Sequence, residues 1–511
     1  MIISSKILST NPSHVVLFTV VLLVGWYVVS TIYYWRRLRH VPGPRLASFS
    51  YLWIANVDWQ GKQYDEYRAF GEKYGPLVRI GPNDVISDDP EIIRRMSVTG
   101  GQFPRRSTWN QGMRFNPYHD VMFNIQDTFP HDKIKAKVSP GYSGRDTPGL
   151  EAIIDEQTIN LISAIERHCL NDPQDANKKF VSMDLSKILP LYTLDVISHL
   201  TLGKEFGCLR ENQDIHHFYD TLEEFFPVMA VSTDVPWIRR ILYSKLGLWF
   251  IGPRESDKKG LGKLMKMTNS HVRERYQENA PKQHDMLGSF KRHGLTQAEC
   301  ESELLFSFVA GSDTTATVLR LMMLYVIISP LVYQKLKSEV MLAVRQGRVS
   351  QPITSAEAKR LPYLQAVIYE GMRMRPVANS LFPKEIPPGG DTINGHYLPA
   401  GTAIGMNLAS MLASKATFGD DADLFRPERF LDASEEVCAE RFRVVDLTFG
   451  TGRWMCSGKP IAWHELNKVP FELMREFDIQ LIDHKLPPSR YHGFIVDGSW
   501  PVYVTRSTAS L

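Results

Sequence analysis

Between Thr296 and Pro330 the chain runs for more than 30 residues without an internal proline, and this stretch constrains the fold more than any other. It opens on Thr296-Gln297-Ala298-Glu299, a capping box in which the threonine hydroxyl serves the N3 amide and the glutamate reaches back to the cap. At about 1.5 Å per residue such a helix spans about 45–50 Å, the width of a whole domain. After Leu304 it is apolar on most sides, so it has to be buried. Its centre nevertheless reads Ala310-Gly311-Ser312-Asp313-Thr314-Thr315. These are poor helix formers, and a buried aspartate is costly unless paired or solvated. Either the hydroxyls back-bond to helix carbonyls and Asp313 pairs with an arginine, or this polar patch faces a site.

The remainder fits a globular, mostly helical body. Of 511 residues 43% are hydrophobic and 23% charged, which excludes a disordered chain. A mean hydropathy of -0.20 excludes a polytopic membrane protein. The net charge of +3 gives no reason to expect nucleic-acid binding. Helical periodicity covers 151–202, 296–345, 355–375 and 459–476, with strand-like pieces near 77–87, 381–404 and 491–505. The expected class is mostly α with small peripheral β-sheets. No Pro/Ser/Gly linker divides the body, which predicts one large domain despite a length that suits about three. The five cysteines, 169, 208, 300, 438 and 456, are odd in number, widely spaced and without a CxxC pair. They predict reduced thiols and no structural zinc.

From Val15 to Trp35 there are 21 residues without a charge. As a helix they span about 31 Å, the thickness of a bilayer core. Aromatic residues Tyr33, Tyr34 and Trp35 mark one end, followed by Arg36, Arg37 and Arg39, against only Lys6 upstream. A signal peptide has a shorter apolar core with its charge in front. The expected organisation is therefore a membrane anchor over residues 1–40 (helix about 15–35) and a cytosolic domain over 41–511. Val41-Pro42-Gly43-Pro44 forms a stiff break between them.

Near the C-terminus stands Phe449-Gly450-Thr451-Gly452-Arg453-Trp454-Met455-Cys456-Ser457-Gly458, ahead of a helical stretch. Three glycines around one cysteine let backbone approach a flat ligand closely. A helix N-terminus stabilises a thiolate. Such a thiolate is a metal ligand or a nucleophile; no local pattern supplies the base a nucleophile wants.

Together with Pro42–Pro44, Ala310–Thr315, the Glu370/Arg373 ExxR pair and Phe425-Arg426-Pro427-Glu428-Arg429-Phe430, this loop resembles the cytochrome P-450 heme-thiolate monooxygenases, collinearly over about residues 40–505. The anchor is similar to that of microsomal members, and the loop wording with Pro387–Gly390 and Pro399–Thr402 to that of filamentous-fungal secondary-metabolism members. The resemblance implies a single heme-binding domain with heme b ligated by Cys456, whose thiolate donation favours O–O cleavage. Phe449 would shield the sulfur and Gly452 would shape the loop. Asp313 and Thr314 match the family's acid–alcohol pair for proton delivery. Gly311 would leave room for dioxygen and let the helix bulge, while Thr315 back-bonds to the helix. Glu370, Arg373 and Arg429 would form a buried structural ion network. His131 and Lys135 match a propionate-binding His-x-x-x-Arg helix with lysine in place of arginine, and Lys384 stands at a further usual arginine position. The family most often has arginine two residues before the cysteine; here Trp454 is there, and Arg453, three before, is the cofactor-binding candidate on the loop.

The same resemblance implies NADPH as electron source through a separate NADPH–cytochrome reductase, since the chain has no GxGxxG loop, with cytochrome b5 as a further partner. Lys133, Lys137, Arg441, Arg443 and Lys459 are candidates for that docking face. The implied location is the endoplasmic reticulum membrane, single-pass, with the catalytic domain in the cytoplasm. Phe103, Trp109, Phe115, Phe225, Phe226, Phe306, Leu381, Phe382 and Phe494 suggest a pocket for an apolar small molecule such as a terpenoid, polyketide or alkaloid-like intermediate. The alternatives are a heme-thiolate desaturase, isomerase or dehydratase, and a non-catalytic membrane-tethered scaffold.

Overall fold

A computed structural model of the chain describes residues 12–103, 105–172, 180–378, 382–483, 489–492 and 494–507. Nine helices carry the argument: α1 (Pro12–Leu38), α2 (Thr128–Tyr142), α3 (Leu150–His168), α4 (Leu185–Leu202), α5 (Phe218–Asp234), α6 (Gln297–Ile328), α7 (Pro330–Arg345), α8 (Pro362–Met374) and α9 (Lys459–Glu476). Helix α6 begins at the expected capping box, with both reciprocal bonds of Thr296 and Glu299 formed. It crosses the body and is mostly buried, with α4 as its most extensive neighbour and α8 and α9 also packed on it.

The architecture is mostly helical with small sheets. Strands β1 (Leu77–Arg79), β2 (Asp84–Ser87), β3 (Lys384–Glu385) and β4 (Ala403–Met406) make one sheet in the order β1-β2-β4-β3, with β2 and β4 parallel and the other pairs antiparallel. A second sheet places Pro501–Arg506 between Phe477–Leu481 and the short strands Leu170–Asn171 and Met183–Asp184.

Three helical expectations need correction, the shortest being 355–375, which divides into Ser355–Ala358 and α8 because Pro362 opens the latter. The 151–202 stretch divides into α3 and α4. Asn171 bonds the Val181 amide and carbonyl and so closes a loop, and Asp184 caps α4 by accepting from the Ser186 amide. The 296–345 stretch divides at Ser329, because Pro330 has no amide to continue α6 and opens α7 instead.

Helix α1 is longer than the expected 15–35, and its apolar window is unburied and long enough to cross a membrane. Its C-terminal end is tied to the body. Arg79 donates to Tyr34 O at 3.1 Å, Arg37 to Ala400 O at 2.7 Å, and the Arg79 amide to Pro42 O at 2.7 Å.

Candidate active site

The cysteine loop is wound tightly before α9. The Cys456 amide donates to Phe449 O at 2.7 Å and the Gly450 amide to Leu447 O at 2.8 Å. Gly452 adopts φ +58°, and a Cβ there would sit 2.1 Å from Ser97 O, so the position admits only glycine. Lys135 Nζ on α2 braces the loop, donating to the carbonyls of Arg453 and Met455 at 2.7 Å each. The Cys456 side chain faces open space rather than protein. Removal from bulk water pushes its thiol pKa up, while the amides of Gly458 and Lys459 and the charges of Lys135 and Lys459 pull it down.

That space is a cavity of about 280 Å³ that opens to solvent. Cys456 and Phe449 lie on one wall, and Ala310, Gly311, Asp313, Thr314 and Thr315 of α6 on another. Of the aromatic residues expected there, Phe115, Phe226, Phe306, Phe382 and Phe494 line it. Phe225 packs tilted behind Phe115 with ring centroids 5.5 Å apart, and Trp109 packs edge-on against Phe382 at 5.5 Å, both as supports. Phe103 is buried in the core away from the cavity. Leu381 lies outside the described residues.

The centre of α6 differs in detail from expectation. It is Thr314, not Thr315, that back-bonds, donating to Ala310 O at 2.8 Å. The Thr315 hydroxyl instead hydrogen-bonds the buried Glu465 of α9, a cavity residue whose carboxyl is pushed far up by burial. The helix continues through Gly311 without a bulge. A Cβ at Gly311 would meet Ile197 Cγ1 at 2.9 Å, so close packing against α4 is what demands glycine here. Asp313 is buried in the cavity wall.

The cationic wall contains a residue the sequence reading missed. Arg106, His131, Lys135 and Lys384 all line the cavity. Arg106 is fully enclosed, which lowers its pKa to about 9, and Lys384 is driven well below its ordinary value by burial and by Arg106. Lys384 Nζ finds the Phe382 carbonyl at 3.1 Å and Arg106 that of Phe123. Neither has a carboxylate partner among the described residues. His131 is lowered to about 4 by burial and then by Arg106, so it is neutral at ordinary pH and not a cation. Arg453 and Gly452 do not line the cavity; Arg453 Nε pairs with Asp132 at 3.3 Å instead. Arg106 carries no local signal in sequence, because its neighbour Lys384 comes from a distant strand.

This donor set fits a heme. The Cys456 sulfur faces the cavity, and two enclosed cations without acidic partners among the described residues suit the two carboxylates of the group. Buried cations normally keep counter-charges, so an anion is expected at this wall.

Glu370, Arg373 and Arg429 meet away from the cavity. Arg373 Nε bonds Glu370 at 2.7 Å and Arg429 Nε bonds it at 3.0 Å, with all three side chains fully or almost fully buried. Tyr369, the chain neighbour of Glu370 on α8, packs its ring on Trp463, which packs on Phe449 of the cysteine loop. Among the expected docking cations, Lys133 and Arg443 are exposed, Arg443 beside Glu440. Lys137 donates to Gly294 O, Arg441 bonds the carbonyls of Thr417 and Arg429, and Lys459 pairs with Asp446.

Comparison with known proteins agrees with this geometry. A model of the cytochrome P-450 family matches residues 41–502. The chain is 46% identical over 472 residues to the cytochrome P-450 monooxygenase aba1 of Botryotinia fuckeliana, covering 92% of each chain. It is 46% identical over 482 residues to abl1 of Leptosphaeria maculans, another cytochrome P-450 monooxygenase, covering 93% of this chain and 84% of that one. The monooxygenase mpaDE of Penicillium brevicompactum is 30% identical over 486 residues, with 54% of its length covered. A thiol-bearing loop, a polar break in a buried helix and a match across nearly the whole body coincide, and the chain belongs to the cytochrome P-450 monooxygenase family.

Proposed function

We propose that this protein is a membrane-anchored heme-thiolate monooxygenase that places one atom of dioxygen into an apolar small molecule of fungal secondary metabolism, a terpenoid, polyketide or alkaloid-like intermediate. The observation that carries it is the single cavity onto which the Cys456 sulfur, the enclosed cations Arg106 and Lys384, and the Asp313–Thr314 pair all open.

Cys456 would hold heme b through its sulfur, and the group would supply the chemistry that activates dioxygen. The chain's own residues do the rest. Lys135 and the amides of Gly458 and Lys459 stabilise the thiolate charge. Arg106 and Lys384 hold the carboxylates of the group, with Lys135 bracing the loop. Thr314 keeps its hydroxyl at the cavity by anchoring it on Ala310 O, which leaves the oxygen's lone pairs to accept a hydrogen bond. Asp313, its neighbour on the same wall, passes protons toward that hydroxyl. Phe115, Phe226, Phe306, Phe382 and Phe494 exclude water and hold an apolar substrate.

Electrons from NADPH arrive through a separate cytochrome reductase, with cytochrome b5 as a second donor, at the cysteine face where Lys133 is exposed. Helix α1 anchors the protein in the endoplasmic reticulum membrane with the domain in the cytoplasm, as its trailing arginines direct. The test is turnover in microsomes with a reductase, NADPH and isotopically labelled dioxygen. The proposal predicts one labelled oxygen in the product. A product formed without label would favour the isomerase, dehydratase or desaturase alternatives.

A further inference from the structure

Arg106 and Lys384 are antiparallel bridge partners. The Ser107 amide donates to Pro383 O at 3.0 Å and the Glu385 amide to Arg105 O at 3.2 Å, so the backbone sets the two cations directly opposite each other. Like charges placed this way repel, and the enclosed setting strengthens the repulsion. What meets both of them is an indole. Arg106 Cζ lies 4.1 Å from the Trp454 ring centroid and Lys384 Nζ 5.0 Å from it, while the His131 ring stands 4.2 Å away. Trp454 stands two residues before Cys456.

We infer that Trp454 is a positioning residue that holds Arg106 and Lys384 as a preset cation pair for the two carboxylates of the prosthetic group. The inference rests on the heme reading of the cavity. A ring face attracts a cation by its quadrupole, more strongly when the pair is desolvated. It carries no net charge, so it restrains both cations without neutralising either. A carboxylate at this position would quench them. An arginine would add a third charge to a pair that already repels. An aliphatic side chain would let them part.

The test is the rate of heme release from the purified holoprotein into excess apomyoglobin, read with the reduction potential of the iron. Trp454→Leu is expected to speed release about tenfold, the ratio given by ~1.4 kcal/mol. Trp454→Phe, whose ring face is weaker, is expected to fall between. The discriminating readout is a double-mutant cycle. In the Trp454→Leu background, Arg106→Gln and Lys384→Gln should speed release, and shift the potential, by smaller factors than in the wild type. If Trp454→Leu does not fold, the same cycle is run on Trp454→Phe. Release at the wild-type rate, or factors that simply multiply, would overturn the inference. A folded wild type that holds no heme would instead overturn the underlying reading, an outcome plainly different from a heme-bearing wild type with independent variants.

Discussion

Glu370 accepts from Arg373 and Arg429 at once, through Nε bonds of 2.7 Å and 3.0 Å, and all three side chains are buried. A charge stranded in such a place has no water to turn to. Glu370→Gln and Arg429→Ala are each expected to cost about 3–5 kcal/mol. Because Tyr369, beside Glu370 on α8, packs through Trp463 onto Phe449 of the cysteine loop, heme retention should fall with α8. Thermal unfolding and heme content check this together. A stable variant with full heme would show the network to be dispensable.

Thr314 is fixed by its 2.8 Å bond to Ala310 O, with its hydroxyl at the cavity. Thr314→Ala is expected to retain heme and consume NADPH, but to divert most electrons to hydrogen peroxide instead of product. Thr314→Ser should recover coupling, because it restores the hydroxyl. The measurement is peroxide formed per NADPH consumed. Tight coupling in the alanine variant would remove Thr314 from proton delivery.

Glu303 is buried on α6, and burial and the charge of Glu299 push its carboxyl up to about 7 against a bond from the Met122 amide. The folded protein therefore holds a proton that the unfolded chain releases near the ordinary glutamate value. The folded state binds more protons between those two pH values, so this group's contribution falls as pH rises through the window. The loss is on the order of 3 kcal/mol across it. Glu303→Gln keeps an acceptor for Met122 and should flatten this part of the stability profile. Denaturant midpoints measured from pH 4.5 to 7.5 decide it: an unchanged slope in the variant would show that Glu303 is not the titrating group.

Gly311 separates two explanations of one residue. A Cβ there meets Ile197 Cγ1 at 2.9 Å, so Gly311→Ala should cost about 1–3 kcal/mol through overpacking. Adding Ile197→Ala should return part of that loss. If the pair shows no such recovery in thermal unfolding, contact with α4 is not what excludes a side chain.

The parts legible in sequence were those whose chemistry is local. The Thr296–Glu299 box marked where α6 starts, and the glycine spacing around Cys456 marked the thiol loop. What sequence could not show was pairing across long separations. Arg106 and Lys384 become neighbours only when the segment after Pro104 bridges to β3, and nothing near Arg106 distinguishes it from Arg105. Arg453 looked like a cavity cation because it flanks the loop, but Asp132 on α2 turns it aside. The two threonines of α6 are adjacent in sequence, and only the approach of Glu465 from α9 decides which of them back-bonds.

The central claim is that Cys456 supplies a thiolate ligand to heme iron within this cavity. The most direct measurement is the carbon monoxide difference spectrum of the dithionite-reduced protein in microsomes, recorded beside Cys456→Ala. The account predicts a strongly red-shifted Soret band in the wild type that is lost in the variant. A folded, heme-supplied wild type without that band, or a variant that keeps it, would contradict the account.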